Sequence, residues 1–349
     1  MLHYHFIGIK GIGMSALVQY YQKQGIKVTG SDTSINGHSA QNISSKINRV
    51  IYSAAIPKDN CELKKAHYFN IPCFTYAQAL GELTKKHFTI AVSGMHGKST
   101  TSSLISLIAT KAGLNPTVIV GTKIKEFGLN NFRLGGRPNF SRIKINQKLK
   151  SEISQKQLLI IEADEYKASF LNYWPKILVI LNLEREHLDY YKGLSQIKKT
   201  FGQYISHLQP NDYLIINQDN PHLIELAKKY NRGRTILFNP TKKIYNFHSQ
   251  IPGKYALSNA QAALTVAKIL GIPQKILVQT LNNFQGTWRR FDFRQKINGA
   301  KIFDDYGHHP TEIRATLQAA REIVPKNGKL WIVFQPHQYL RTYLLFNDF

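Results

Sequence analysis

The sequence predicts an α/β protein of two or three domains, built on parallel sheets covered on both faces. Three observations carry this. A strand, a glycine turn and a helix follow one another twice, first at residues 4–24 and again at 87–111. Short apolar strands then alternate with helices, at 116–121, 158–161 and 177–181. Finally, 349 residues with 43% hydrophobic and 19% charged content describe a folded chain too long for one ordinary core.

The first unit opens on Tyr4-His-Phe-Ile-Gly-Ile-Lys-Gly-Ile-Gly-Met-Ser-Ala16. It reads as a strand, a turn and a helix that runs to Gln24 and ends at Gly25, a residue free to take the left-handed conformation of a helix end. A second strand at 27–29 leads to Gly30-Ser31-Asp32, the order of a dinucleotide-type βαβ unit with an acid after its second strand. Lys10 stands where such a turn expects its middle glycine. It either offers an ammonium to a diphosphate or marks a turn that binds nothing. A strand at 49–52, a helix–strand pair across 60–74 and a helix at 76–85 complete the unit, with a boundary at residue 86.

The second unit begins with Ala91-Val-Ser-Gly-Met-His-Gly-Lys-Ser-Thr-Thr101, between a β-branched strand and a helix read over 102–111. Gly94 and Gly97 would let backbone N–H groups face an anion, Lys98 would meet terminal phosphates, and the Ser99 hydroxyl would ligate Mg²⁺. Val92 occupies the place of the usual first glycine, so a plain glycine-rich turn with a solvated lysine is the competing reading. Ligands of parallel sheets gather at the carboxyl ends of strands. Those ends are the P-loop, Glu162-Ala-Asp-Glu165 and Asn182-Leu-Glu-Arg-Glu-His-Leu-Asp189. Carboxylates there give Mg²⁺ its hard oxygen ligands, and Glu162 is the first candidate. His187 reads as a ligand or as a hydrogen-bonded structural histidine.

Residues 133–156 carry seven Lys or Arg and one acid, Glu152, and read as a solvated surface loop. A strand at 212–217 precedes a helix opened by Pro221, a good first helical residue. A helix at 253–270 presents an alanine-rich face on which Asn259 is the notable polar residue. After residue 288, Asn298-Gly299 between 291–297 and 300–303 signals a hairpin. Asp304-Asp-Tyr-Gly-His-His-Pro-Thr-Glu312 opens a helix ending near Val324, and 330–334 reads as a strand.

Bulk properties narrow the class. The net charge of +25 invites a polyanion partner, yet no helix-turn-helix, zinc-finger or RNP signature accompanies it, so nucleic acid is not expected. Anionic nucleotide ligands suit a basic chain equally well. No apolar run approaches the roughly 18 residues of a membrane span and no signal-peptide pattern precedes the first strand, so a cytoplasmic protein is expected. Cys61 and Cys73 have no metal spacing.

Taken in order, these motifs resemble the Mur ligase family, most closely its alanine-adding branch. The matching stretches are His5-Phe-Ile-Gly-Ile-Lys-Gly-Ile-Gly-Met-Ser15, Gly30-Ser-Asp32, Ser53-Ala-Ala-Ile56, Gly94-Met-His-Gly-Lys-Ser-Thr100, Glu162-Ala-Asp-Glu165, 182–189, Arg289-Arg-Phe291, Asp304 to Glu312 and Phe334-Gln-Pro-His337. The resemblance implies three domains: a Rossmann-like UDP-sugar-binding domain (1–86), a central P-loop ATPase domain (87–288) and a partial Rossmann-like C-terminal domain (289–349). It implies ATP and Mg²⁺, with UDP-N-acetylmuramate and L-alanine as substrates joined through an acyl phosphate. Lys98, Glu162 and His187 would be catalytic, and Ser99, Glu162 and His187 would hold metal. Gly94, His96, Gly97, Lys98, Ser99, Thr100, Asn259, Arg290, Asp305 and His308 would border ATP; Gly11, Gly13, Ser31, Asp32 and Ser53 would border the UDP-sugar.

Departures from the pattern accompany the resemblance. Besides Lys10, the stretch after Asp32 is short, as though a helix and strand were missing. Gly253-Lys-Tyr-Ala-Leu-Ser-Asn259 keeps only Asn259 of the polar residues near the adenine. Glu165-Tyr-Lys167 replaces Glu-Ser-Asp and resembles the murein-peptide ligase branch in its tyrosine, and Gln338 and Leu340 also differ. No carbamylated lysine is expected near Thr200. The family continues for about a hundred residues beyond Phe349, judged by typical domain size, so a truncated chain is expected. A noncatalytic nucleotide-binding remnant is therefore the alternative of a different class.

Overall fold

The computed structural model describes residues 1–187, 189–337 and 339–349. Leu188, within the 182–189 motif, and Gln338, one of the departures above, lie outside the described residues.

The first unit comprises β1 (His3–Ile7), α1 (Ile12–Lys23), β2 (Lys27–Ser31), β3 (Arg49–Tyr52), α2 (Cys61–Tyr68), β4 (Cys73–Thr75) and α3 (Tyr76–Lys86). Its four strands are parallel in the order β2-β1-β3-β4. Between β2 and β3 the chain makes a single 3₁₀ turn, Ala40–Asn42, capped by Ser39, where a helix would ordinarily cross over. Thr75 and Gln78 form a reciprocal capping box that starts α3.

The second unit follows as β5 (Phe88–Ser93), α4 (Lys98–Lys111), β6 (Thr117–Ile124), β7 (Asn130–Arg133), α5 (Gln147–Lys156), β8 (Leu158–Glu162), β9 (Ile177–Ile180), α6 (Leu194–Ile205), β10 (Tyr213–Asn217), α7 (Pro221–Tyr230), β11 (Arg234–Phe238), α8 (Lys254–Ile269) and α9 (Gln274–Asn282). The sheet order is β11-β10-β9-β5-β8-β6-β7, parallel except for β7. All six residues of β5 are buried, as a central strand with helices on both faces requires. Packing on one face joins the first unit to the second, for Phe6, Met14 and Leu17 share a core with Ala91, Leu159 and Leu178. Leu104, Ile108, Val118, Ala263 and Val266 fill the other face. Polar contacts reinforce the junction: Asn131 Nδ2 donates to the carbonyl of Ile12 and to Ser15 Oγ.

The third unit is the hairpin β12 (Asp292–Ile297) and β13 (Ala300–Asp304), then α10 (Pro310–Ile323) and α11 (Tyr339–Leu344). Asn298 and Gly299 have φ of 47° and 87°, the positive pair that the two-residue turn demands.

Three expectations are corrected. α4 starts at Lys98, a turn before residue 102, because Gly97 at φ 86° closes the loop directly onto the helix. The stretch 133–156 is not all loop: α5 occupies 147–156, capped by Asn146, with Leu149 and Ile153 buried. Two apolar residues four apart anchor one face, a weak signal among seven cations. Residues 330–334 join no ladder among the described residues, and Trp331 and Val333 are 84% and 102% exposed. An apolar run makes a strand only where another strand lies alongside to take its hydrogen bonds.

Candidate active site

β5 lies between β9 and β8, so the residues following those strands flank the P-loop on both sides. Gly94 and Gly97 take φ of 123° and 86°, and both are closely approached. A Cβ on Gly94 would sit 3.1 Å from the Asn182 nitrogen, and one on Gly97 would sit 2.5 Å from Asn259 Oδ1. The Asn182 carboxamide clips the loop in place, accepting the His96 N–H at 2.9 Å and donating to the His96 carbonyl at 3.0 Å. The first amides of α4 are thereby held at the loop, with no acid in that turn to compete for them.

Lys98 folds back over the loop, donating to the Gly94 carbonyl at 2.8 Å and pairing with Glu165 at 2.8 Å. Glu165 is wholly buried and its other oxygen lies 3.0 Å from His187 Nε2. Burial alone would raise the Glu165 carboxyl, but Lys98 and His187 outweigh it and hold it below the ordinary range.

Glu162 ends β8. Its carboxylate accepts from Ser99 Oγ at 3.2 Å and from the Gly121 N–H at 3.0 Å, while burial pushes its pKa upward. A hydroxyl and a carboxylate meeting at the loop are hard oxygen donors of the kind Mg²⁺ takes, so these residues fit that ion. His187, at φ 52°, keeps Asp164 and Glu165 as its near carboxylates, with ligand atoms within 4.8 Å of one another, and its Nδ1 is buried without a hydrogen-bond partner among the described residues. Its nearest carboxylates are therefore not that of Glu162, the residue grouped with it from the sequence.

A cleft beside the loop brings together His96, Gly97, Ser99, Thr100, Asn259, Arg290 and Asp305. Asn259, nearly buried, accepts from Thr101 Oγ1 at 3.2 Å and so ties α8 to α4. Tyr255 and Glu312, which the sequence did not single out as site residues, share this lining. His308 lies elsewhere, lining the adjoining hollow under residues 330–337. Burial lowers its pKa, and its Nδ1 faces the Tyr306 carbonyl at 2.9 Å.

At the first glycine turn, Gly8 has φ of 82° and Gly11 caps α1. Asp32 accepts the Lys10 N–H at 3.0 Å, while the Lys10 side chain is exposed. Ser53 accepts the Ala55 N–H at 3.3 Å at the end of β3. Two expectations change. The Ser31 side chain faces inward, fully buried, and donates to Glu62 at 2.5 Å, so its hydroxyl is spent within the fold. Gly13 faces the Tyr76 ring, where a Cβ would come within 3.0 Å, so its smallness serves packing.

The residues missed from the sequence are Glu165, Asn182, Glu184 and Glu312. The strand-end positions of Glu165, Asn182 and Glu184 and the helix-opening position of Glu312 were visible. Their partners, 67 and 86 residues away in the chain for Glu165 and Asn182, were not.

A central parallel sheet with a P-loop at its middle strand, carboxylates on the neighbouring strand ends and a cleft closed by a further unit defines a three-part P-loop nucleotide-dependent α/β protein. Residues 3–88 match the family model described as Mur ligase family, catalytic domain; 92–239 match the Mur ligase middle domain; and 289–345 match the Mur ligase, glutamate ligase domain. The chain is 37% identical to the UDP-N-acetylmuramate–L-alanine ligase of Clostridium acetobutylicum, covering 99% of this chain and 79% of that protein. It is 35% identical to the enzyme of the same name from Aquifex aeolicus, covering 99% and 80%. The crystal structure of a UDP-N-acetylmuramate-alanine ligase from Thermotoga maritima shares its fold with a TM-score of 0.79 at 24% identity, covering 99% of this chain and 83% of that one. A murein peptide ligase from Psychrobacter arcticus does so at 0.72 and 20%, covering 96% and 81%. The chain belongs to the Mur ligase family, whose members are ATP-dependent.

Proposed function

We propose that this chain joins L-alanine to the carboxylate of UDP-N-acetylmuramate, driven by ATP, in peptidoglycan precursor synthesis. The observation that carries the reading is the gathering of Lys98, Ser99 and Glu162 at the ends of the adjacent strands β5 and β8, with His187 from the segment after β9 beside Glu165, in a chain similar over nearly its whole length to ligases of that name. The substrate carboxylate takes the γ-phosphoryl group as the bond to ADP breaks. The amine of alanine then attacks the acyl phosphate, loses a proton and expels phosphate, leaving the amide.

Lys98 would leave Glu165 to meet the phosphoryl group in transfer, where its charge is worth most. Glu165 keeps His187 as a partner, so the exchange does not strand a buried carboxylate. Ser99 and Glu162 would hold Mg²⁺, with His187 beside Asp164 and Glu165 offering a second set; the metal supplies positive charge that offsets repulsion between phosphate and carboxylate. Asn259, Arg290 and Asp305 would border the nucleoside, and Gly11, Asp32 and Ser53 the UDP-sugar. We place the reaction in the cytoplasm, where its nucleotide substrates are made; among the described residues no helix is long and apolar enough to cross a membrane.

Phosphate release from ATP that needs both UDP-N-acetylmuramate and L-alanine tests the reading, and release that needs neither sinks it. A second reading, recycling of a murein tripeptide, rests on the resemblance of Glu165-Tyr-Lys167 to the murein-peptide ligase branch, with the Tyr166 ring 5.0 Å from His187 and its hydroxyl donating to Asp189 at 2.9 Å. Consumption of tripeptide in place of L-alanine would decide for that.

A further inference from the structure

Three carboxylates and three cations meet where the third unit rests on the P-loop. His96, between the two loop glycines, is 7% exposed. Its Nε2 lies 2.7 Å from Glu184, just past β9, and its Nδ1 lies 3.2 Å from Glu312 in the first turn of α10. The same oxygen of Glu312 takes Arg290 at 3.2 Å, and its other oxygen accepts the His308 N–H at 3.1 Å. Glu186 is clasped by Arg341 at 2.9 and 3.0 Å and lies 3.4 Å from His309 Nε2.

The protons can be placed. His309 Nδ1 accepts the Thr311 N–H at 3.2 Å, which leaves the proton of a neutral ring on Nε2, facing Glu186. Burial lowers the pKa of His309, consistent with a neutral ring. Glu184, Glu186 and Glu312 are then balanced by Arg290, Arg341 and a charged His96. Burial opposes that charge, yet the carboxylates of Glu184 and Glu312 outweigh it and lift His96 to about 9.

We propose that His96 is a positioning residue which, as an imidazolium, ties the P-loop and the 184–186 segment to α10 and so sets the closed form of the nucleotide cleft. The inference deepens the nucleotide reading above and rests on it. His96 does this because Asn182 pins its backbone on both sides, so the ring cannot follow Glu312 without moving the loop. Its partner Glu312 also orients Arg290, which lines the cleft. One rival occupies the same corner. His96, Glu186 and His309 are buried and offer ligand atoms within 4.8 Å of one another, and His96 Nε2, Glu186 Oε2 and His309 Nε2 make no aligned hydrogen bond among the described residues, as at a metal site. The Thr311 contact weighs against it, since a metal on His309 Nε2 needs the ring proton on Nδ1.

The test uses the full chain with His96→Asn, Glu312→Gln and the double variant. Affinity for Mg·ATP and KM for ATP should each weaken on the order of tenfold in the single variants, with kcat at saturating ATP changed far less. The double variant should be no worse than the poorer single one. In the nucleotide-free chain, amide exchange across α10 should rise in His96→Asn and stay unchanged in α2. Additive losses, unaltered ATP affinity or unaltered α10 exchange overturn the proposal. If the unaltered chain binds no Mg·ATP, the functional reading fails while α10 exchange still decides the tie. Stoichiometric zinc that His96→Asn removes would replace the imidazolium with a metal. Should His96→Asn fold poorly, Glu312→Gln carries the same measurements from the other side.

Discussion

The turn after β1 and the turn after β5 share a local recipe: a strand of a parallel sheet, a glycine with positive φ, and a helix whose first amides face the gap. In the first, Gly11 caps α1 at an ordinary φ of −55°, Lys10 points to solvent, and the nearest carboxylate, Asp32, holds the turn's own backbone. In the second, the cap is left-handed, Lys98 is folded inward against a buried Glu165, and Asn182 and Glu162 arrive from the strands on either side. A helix start supplies the same partial charge in both. What separates the two turns is the set of charged side chains that neighbouring strands bring to the second.

Breaking the second turn should cost most. Lys98→Ala should lower ligation by at least about 10²–10³-fold, read as substrate-dependent phosphate release. It also removes one of the two partners of Glu165, leaving His187, so unfolding should become easier by about 1.5–3 kcal/mol. Adding Glu165→Gln should recover stability without activity, which separates the two effects.

Equal substitutions then compare the turns. Gly97→Ala forces a left-handed Cβ against Asn259 and should cost about 1–3 kcal/mol in urea unfolding. Gly11→Ala, with its nearest contact at 3.4 Å, should cost under about 1 kcal/mol.

Beneath the first turn, Glu62 gives a pH signature. Burial would raise its carboxyl, but His5 at 3.7 Å and hydrogen bonds from Ser31, Asn42 and Ser39 bring it down to about 2 from an ordinary 4.5. A depressed carboxyl stabilises the fold fully above its unfolded pKa and loses that contribution as pH falls through the folded one. Glu62→Gln should therefore destabilise by a few kcal/mol at pH 7, about what such a shift is worth, with the gap to the unaltered chain closing between pH 4.5 and 2 in unfolding measurements. The smallest effect is expected of Lys10→Ala: KM for UDP-N-acetylmuramate rises less than about tenfold at constant kcat. An unchanged KM would leave Lys10 as a residue of the turn alone.

Much of this molecule was legible in the chain because its signals are local. The NG hairpin, the capped α7 at Pro221 and both glycine turns each follow from a few consecutive residues whose backbone preferences agree. α5 escaped because its apolar pair is outnumbered by lysines, and the stretch 330–334 misled because an apolar run does not state what lies beside it. The resemblance sets Ser31, the last residue of β2, beside a ligand; the buried Glu62 that takes its hydroxyl inward is 31 residues away.

The sequence by itself determined the α/β class, the P-loop at Gly94 to Thr100 and the family, since periodicity, glycine geometry and ordered motifs are written along one dimension. Tertiary structure alone decided that Lys98 faces Glu165, that His187 keeps company with Asp164 and Glu165, and that His96 bridges Glu184 to Glu312. Those contacts depend on which strands lie beside β5 and on α10 coming to rest across them. Strand order and docking are settled by burial of apolar surface over the whole chain, and the charges meet where that burial leaves them.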